Sequence, residues 1–288
     1  MILDHIKYAY GDMTGWGSLS HQLTVILGYI GRFAFPIFAF LLITGWKYTK
    51  NKNKYFSRML LFAILSQVPY TLATYPTNLQ SINNLFSLNH TNINIITLVF
   101  SFITSITYWY LIAHKCFSIT TPLILLAGIV SSLFVKVNGI TLIGNDLNIF
   151  YTLSIGLATL HSIDVLKNKS FNKQYHYILL FLILIGNLLL IALRADYGNF
   201  LLGIFLIVAL YLSKEYKLIQ SLCIIIWGVL LYILVYYNIG NFIAITLASL
   251  LILFYNQKKG FNLKYTFYII YPLHLLIIGL INISLKSV

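Results

Sequence analysis

Apolar stretches of about 17 to 25 residues follow one another from the start of this chain to its end, and no long polar interval separates them. The hydrocarbon core of a bilayer is about 30 Å thick, which about 20 helical residues span. The chain is therefore expected to be all-α, a polytopic integral membrane protein. Of its 288 residues 59% are hydrophobic and 9% charged, where a soluble domain carries about 25% charged residues. That leaves no room for a separate soluble part, and residues 1–288 are expected to form a single transmembrane domain.

Hydropathy places a short opening segment at 1–10 and spans near 22–46, 56–74, 93–113, 119–137, 148–165, 176–193, 198–212, 218–237, 241–255 and 265–284, ten to eleven transmembrane helices in all. The opening segment, in MILDHIKYAYGDM, is the exception in length. Eleven helical residues cover roughly 16 Å, so it cannot cross alone and reads either as a truncated first helix or as a half-helix anchored against its neighbours. No basic region precedes it, so insertion is expected to rely on the helices and not on a cleavable leader.

Charge sets the orientation. Lys47, Lys50, Lys52, Lys54 and Arg58, then Lys115, then Lys167, Lys169 and Lys173, then Lys214 and Lys217, then Lys258, Lys259 and Lys264 fall in alternate loops, fourteen of the nineteen basic residues. By the positive-inside rule those loops are cytoplasmic, which places the N-terminus inside and the C-terminus outside. The net charge of +13 is spread over loops and not gathered into one patch, so the expected partner is the lipid bilayer and not nucleic acid. Cys116 and Cys223 have neither CxxC nor Cys/His spacing, so no metal site is expected.

Ionisable groups inside spans cost roughly 2.5 to 3.5 kcal/mol each on insertion scales, and so they mark buried sites. Arg32 lies deep in GYIGRFAFPIFAF. Gly28, Arg32 and Pro36 repeat every four residues and share one helical face. That face is expected to line a cavity, since Gly admits close approach and Pro36 leaves the Arg32 carbonyl without its helical partner. The bland alternative is an ion pair with an acid such as Asp4. His274, in YTFYIIYPLHLLIIGL, has Tyr271 on nearly the same face, and Pro272 releases the Tyr268 carbonyl. Such an imidazole can be a general base or a hydrogen-bonded core residue. Asp4 and His5 are adjacent, about 100° apart on a helix, so each needs partners on other helices. Arg194 and Asp196 read as a local ion pair or a turn before Gly198, Arg58 as a cytoplasmic anchor or a phosphate holder, and Asn148 as a helix cap. GxSxG, HExxH, Walker and GxGxxG spacings are absent.

LDHI, GYIGRFAFPIFAFLLITGW, KYTKNKNKYFSRMLLFAILSQVPY, LNIFYTLSIGL, ADYG and FYIIYPLHLL resemble, in that order, the motifs of the TraX family. Its members are integral membrane proteins related to a broad acyltransferase superfamily acting on extracytoplasmic substrates, and the founding activity is N-terminal acetylation of conjugative pilin. The resemblance maps Asp4 and His5 onto the family's Asp-His pair, Gly31, Arg32, Phe35 and Pro36 onto GR-x-x-FP, and Arg58, Gln67 and Pro69 onto the following helix. It maps Asn148, Thr152 and Gly156 onto N-x-x-x-T-L-x-x-G, Asp196, Tyr197 and Gly198 onto DYG, and Tyr271, Pro272 and His274 onto the final YP-x-H. Two departures are visible: the family's first helix begins well before Asp-His, and residues 75–147 stand where the family has a short loop.

The resemblance implies an acetyltransferase of the bacterial cytoplasmic (inner) membrane that uses cytosolic acetyl-CoA, with the N-terminal amine of a pilin or fimbrial subunit as acceptor. His5 or His274 would be the base, Asp4 its orienting carboxylate and Arg32 the charge stabiliser. Arg58, Tyr271, Asn148, Asp196 and Tyr197 would contact substrates. O-acetylation of a surface glycan or lipid is the alternative within the enzymes, and a channel or pilus-assembly scaffold is the alternative outside them.

Overall fold

The computed structural model describes residues 1–10, 21–74, 136, 137, 140, 141, 147–167, 202–256 and 266–286. The opening segment is a helix, α1 (Ile2–Tyr10). The span expected near 22–46 is realised as two helices, α2 (His21–Arg32) and α3 (Ala34–Tyr48), with Phe33 alone out of helical conformation between them. Pro36 explains the break. It has no N–H to give the Arg32 carbonyl and its ring crowds that oxygen, so the hydrogen-bond ladder stops and restarts with Pro36 in the first turn of α3, where proline is tolerated.

Beyond it come α4 (Lys52–Thr74), α5 (Ile149–Lys167), α6 (Leu202–Leu212) and α7 (Lys217–Gly228), the last continued by a π-helical segment, Val229–Val235. They are followed by α8 (Ile239–Leu253) and α9 (Thr266–Lys286). At the end of the span expected at 119–137, Lys136–Val137 pairs antiparallel with Ile140–Thr141, and residues 119–135 of that span lie outside the described residues. In KVNGIT the dipeptide Asn-Gly stands between β-branched residues, the sequence signal of a hairpin. The spans expected at 93–113 and 176–193 lie outside the described residues.

The chain resolves into two compact units, Met1–Tyr48 with Leu72–Thr74 and Leu202–Val288, and Thr49–Thr71 with Tyr75–Leu201. In the first, α1 packs against α2 and α9, α2 against α3 and α8, α3 against α6 and α8, and α7 against α6 and α8. Its core is apolar and closely fitted: Phe35, Ala39 and Trp46 of α3 are buried, as are Ile207 and Leu210 of α6, Ile224 and Trp227 of α7, and Ile245 and Ala248 of α8. Trp227 stacks at a tilt on Phe35, ring centroids 5.4 Å apart, and its indole N–H donates to the Leu202 carbonyl at 2.8 Å.

The outward faces are apolar too. On α9 the buried stripe is Tyr268, Tyr271, Leu275 and Ile278, while Ile269, Ile270, Leu273, Ile277 and Leu280 point out. α2 likewise exposes Leu23, Ile26 and Ile30. A helix apolar all round that is not enclosed by protein has the pattern of one bathed in hydrocarbon. By length and composition, His21–Tyr48 and Lys217–Val235 can cross a membrane; Ile149–His161, Leu202–Leu212, Ile239–Leu253 and Thr266–Ile281 are apolar but shorter.

The end of α3, the turn between α6 and α7 and the residues just after α8 meet at one end of the first unit. Lys47 Nζ lies 3.1 Å from a Glu215 carboxylate oxygen, and Lys217 donates to the Tyr255 carbonyl.

Candidate active site

α1 is short, but its two sides have different partners. One carries Asp4 and Lys7, spaced three residues apart, and faces α2. Glycines at the matching positions make the approach possible: a Cβ on Gly31 would stand 2.4 Å from Asp4 Cβ, and one on Gly28 would stand 2.8 Å from Lys7 Nζ. The face expected to line a cavity is thus filled by α1, and Pro36 is separated from it by the break at Phe33. Asp4 Oδ2 lies 3.6 Å from an Arg32 guanidinium nitrogen, with both side chains largely buried. No described group donates a hydrogen bond to the other carboxylate oxygen, Oδ1.

His5 faces α9. Its Nδ1 lies 2.8 Å from His274 Nε2, and the rings stack with centroids 5.1 Å apart. His274 Nδ1 in turn lies 2.6 Å from the Ile270 carbonyl oxygen. Only 6% of His5 and 9% of His274 is exposed. Tyr271 closes the cluster edge-on, 5.9 Å from the His5 ring and 5.6 Å from that of His274.

The carbonyl fixes the protons. A carbonyl can only accept, so His274 Nδ1 carries a hydrogen, and in the neutral ring Nε2 is then an acceptor. His5 Nδ1 must therefore donate, and the basic lone pair of the couple sits on His5 Nε2. A proton arriving there can be passed on, His5 Nδ1–H moving to His274 Nε2, without either ring turning. In this arrangement the described partner of His5 is His274 and that of Asp4 is Arg32.

The remaining described candidates, Arg58 and Asn148, belong to the second unit. Arg58 is on α4 in the second unit, its guanidinium 6.0 Å from the Tyr55 ring. Asn148, in the same unit, is wholly buried and caps α5: its Oδ1 accepts from Phe150 N–H at 3.0 Å. Its side-chain amide donates to Ala63 O at 2.7 Å and to Gln67 Oε1 at 2.8 Å. Asp196 and Tyr197 lie outside the described residues. Among the described residues no group of three or more His, Cys, Asp or Glu could hold a metal.

Two features escape sequence reasoning. One is the direct His5–His274 bond, although two histidines on apolar helices, each lacking an acid one turn away, signal that something distant must satisfy them. The other is the Asn148–Gln67 clamp, for which SQ-x-P and LNIF carry no visible link.

The family model described as TraX protein matches residues 1–143 and 102–282. The chain belongs to the TraX family. The two matches take in α1, α2, α3 and nearly all of α9, so every residue of the His5–His274–Arg32–Asp4 cluster falls within TraX-matched sequence. No curated protein and no solved structure matches the chain.

Proposed function

We propose that this TraX protein is a membrane acetyltransferase that moves the acetyl group of acetyl-CoA onto an amine presented from the membrane or its outer face, the N-terminus of a pilin or fimbrial subunit being the acceptor. The observation that carries the reading is the buried His5–His274–Ile270 chain of hydrogen bonds. Two neutral imidazoles held in one proton-conducting orientation, inside an apolar bundle, serve general-base chemistry better than they serve stability. Membership of the TraX family and the apolar outward faces of α2 and α9 support the setting, the bacterial cytoplasmic membrane.

In this reading His5 Nε2 takes a proton from the acceptor amine as its nitrogen bonds to the acyl carbon. The carbon–sulfur bond breaks, the amide forms, and the proton returns through the couple to the departing thiolate, so that amine and thioester become amide and thiol. Arg32, paired with Asp4 on the α2 side of α1, is the cation this reading assigns to negative charge developing on the acyl oxygen. The residues present fit such a donor at the base and at the cation.

The test is transfer of labelled acetyl groups from acetyl-CoA to a pilin in membranes carrying this protein. Removing a general base costs about 10²- to 10⁴-fold in rate. His5→Ala membranes are expected to lose transfer by that factor at equal protein level, and wild-type transfer in both His5→Ala and His274→Ala would refute the reading.

A further inference from the structure

Away from the histidine couple, the lysine end of the first unit holds a shallow, open recess lined among others by Lys47, Tyr48, Lys214, Lys217, Gln220 and Tyr255. Its charge is one-sided. Three ammonium groups meet one carboxylate, Glu215, the only glutamate in the chain. Each ammonium is held by a group it can exchange: Lys47 by the exposed Glu215 at 3.1 Å, Lys214 by the face of Tyr211 at 4.5 Å, and Lys217 by the Tyr255 carbonyl. The excess of two positive charges matches a diphosphate, and lysine ammoniums bind phosphate as point charges.

The recess also has aromatic walls. Tyr48 is 63% exposed, with Lys47 lying 5.9 Å from its ring centroid, and Tyr255 is half-buried beside Lys217. Exposed tyrosine faces next to cations suit a planar base stacked beside its phosphates. Lys47 stands thirteen residues beyond Ala34, the start of α3, about 20 Å at the helical rise. A ligand anchored by its phosphates at this end would need a long thin arm to bring a thioester to His5.

We propose that this recess binds the diphosphate and base of the nucleotide-bearing acyl donor, with Lys214 and Lys217 on the phosphate oxygens and Tyr48 or Tyr255 against the base. The proposal rests on the acetyl-transfer reading above, and it places the phosphates here rather than at Arg58. An anionic lipid headgroup offers the same phosphate chemistry, and the two sources are separable.

The test uses the full chain in nanodiscs of phosphatidylcholine, with binding of coenzyme A, and of pantetheine, which lacks diphosphate and base, followed by calorimetry. A double Lys214→Gln, Lys217→Gln variant is expected to weaken coenzyme A about tenfold or more and to leave pantetheine unchanged, as loss of charge-assisted bonds requires. Glu215→Gln, a change of one exposed side chain, is expected to tighten coenzyme A about two- to fivefold. Unaltered coenzyme A affinity in both variants overturns the site. So does co-purifying anionic lipid that the double variant loses and coenzyme A does not displace, which would give the recess to a headgroup. The transfer assay separates this from the wider reading: lysine-dependent coenzyme A binding without acetyl transfer leaves the site standing and removes the reaction. Transfer with an unchanged KM for acetyl-CoA in the double variant does the reverse.

Discussion

Gly31→Ala is the perturbation that most sharply joins the fold to the proposed chemistry. The added Cβ would lie 2.4 Å from Asp4 Cβ and 2.8 Å from Asp4 Cγ. Carbon atoms pack at about 3.5 to 4.0 Å, so α1 must retreat by at least about 1.1 Å. α1 is held between α2 and α9, so the shift either drives His5 into His274 or slides it past, and a 2.8 Å bond survives neither. Overpacking costs about 1 to 3 kcal/mol, while alanine for glycine inside a helix returns about 1 kcal/mol, leaving a net loss of about 0 to 2 kcal/mol. The fold is therefore retained, while a misplacement near 1 Å lowers transfer about 10²-fold. Gly28→Ala is the control. Its Cβ meets the tip of Lys7, a flexible chain that can swing aside, so transfer should stay near wild type. The assay is labelled acetyl transfer in membranes at matched protein level, with thermal unfolding alongside. Wild-type transfer by Gly31→Ala would refute the claim that the α1–α2 approach positions His5.

Further outcomes follow from the same contacts. Asn148→Ala removes the α5 cap and the side-chain amide's bonds to the Ala63 carbonyl and Gln67 Oε1, while the backbone N–H of residue 148 can still donate to Gln67 Oε1, so it should destabilise by about 1 to 2 kcal/mol in chemical unfolding; a loss under about 0.5 kcal/mol would argue against the clamp. Trp227→Phe keeps the ring contact with Phe35 but removes the donor to Leu202 O, and a loss of about 1 to 3 kcal/mol is expected by the same assay. His274→Ala should cut transfer as His5→Ala does, because the second ring fixes the tautomer of the first; full transfer by His274→Ala would leave His5 acting alone.

Much of the helical layout is legible in the sequence because hydropathy is a local property. The span expected at 265–284 is α9 at Thr266–Lys286, and the one at 218–237 is α7 with its π-helical continuation. What fails is also local but subtler. Pro36 ends a helix four residues before itself, a backbone effect that an apolar window averages away. The histidine site is legible only in half. Asp4, His5, Arg32 and His274 stand out as ionisable groups on apolar helices, but their partnership depends on which helices are neighbours, and that depends on the small residues Gly28 and Gly31. Once α1 lies in that groove, Asp4 meets Arg32 and His5 meets His274. The clustering of Lys47, Lys214 and Lys217 is hidden for the same reason: charge alternation puts three loops on one side without saying that they touch.

The central claim is that the buried histidine couple acetylates a pilin or fimbrial N-terminus, and the mass of the mature subunit's N-terminal peptide tests it most directly. Subunits from cells carrying the wild-type protein are predicted to bear one acetyl group, and those from cells carrying His5→Ala at the same membrane level to bear none. An acetylated N-terminus in the His5→Ala cells, or a free amine in the wild type, would contradict it.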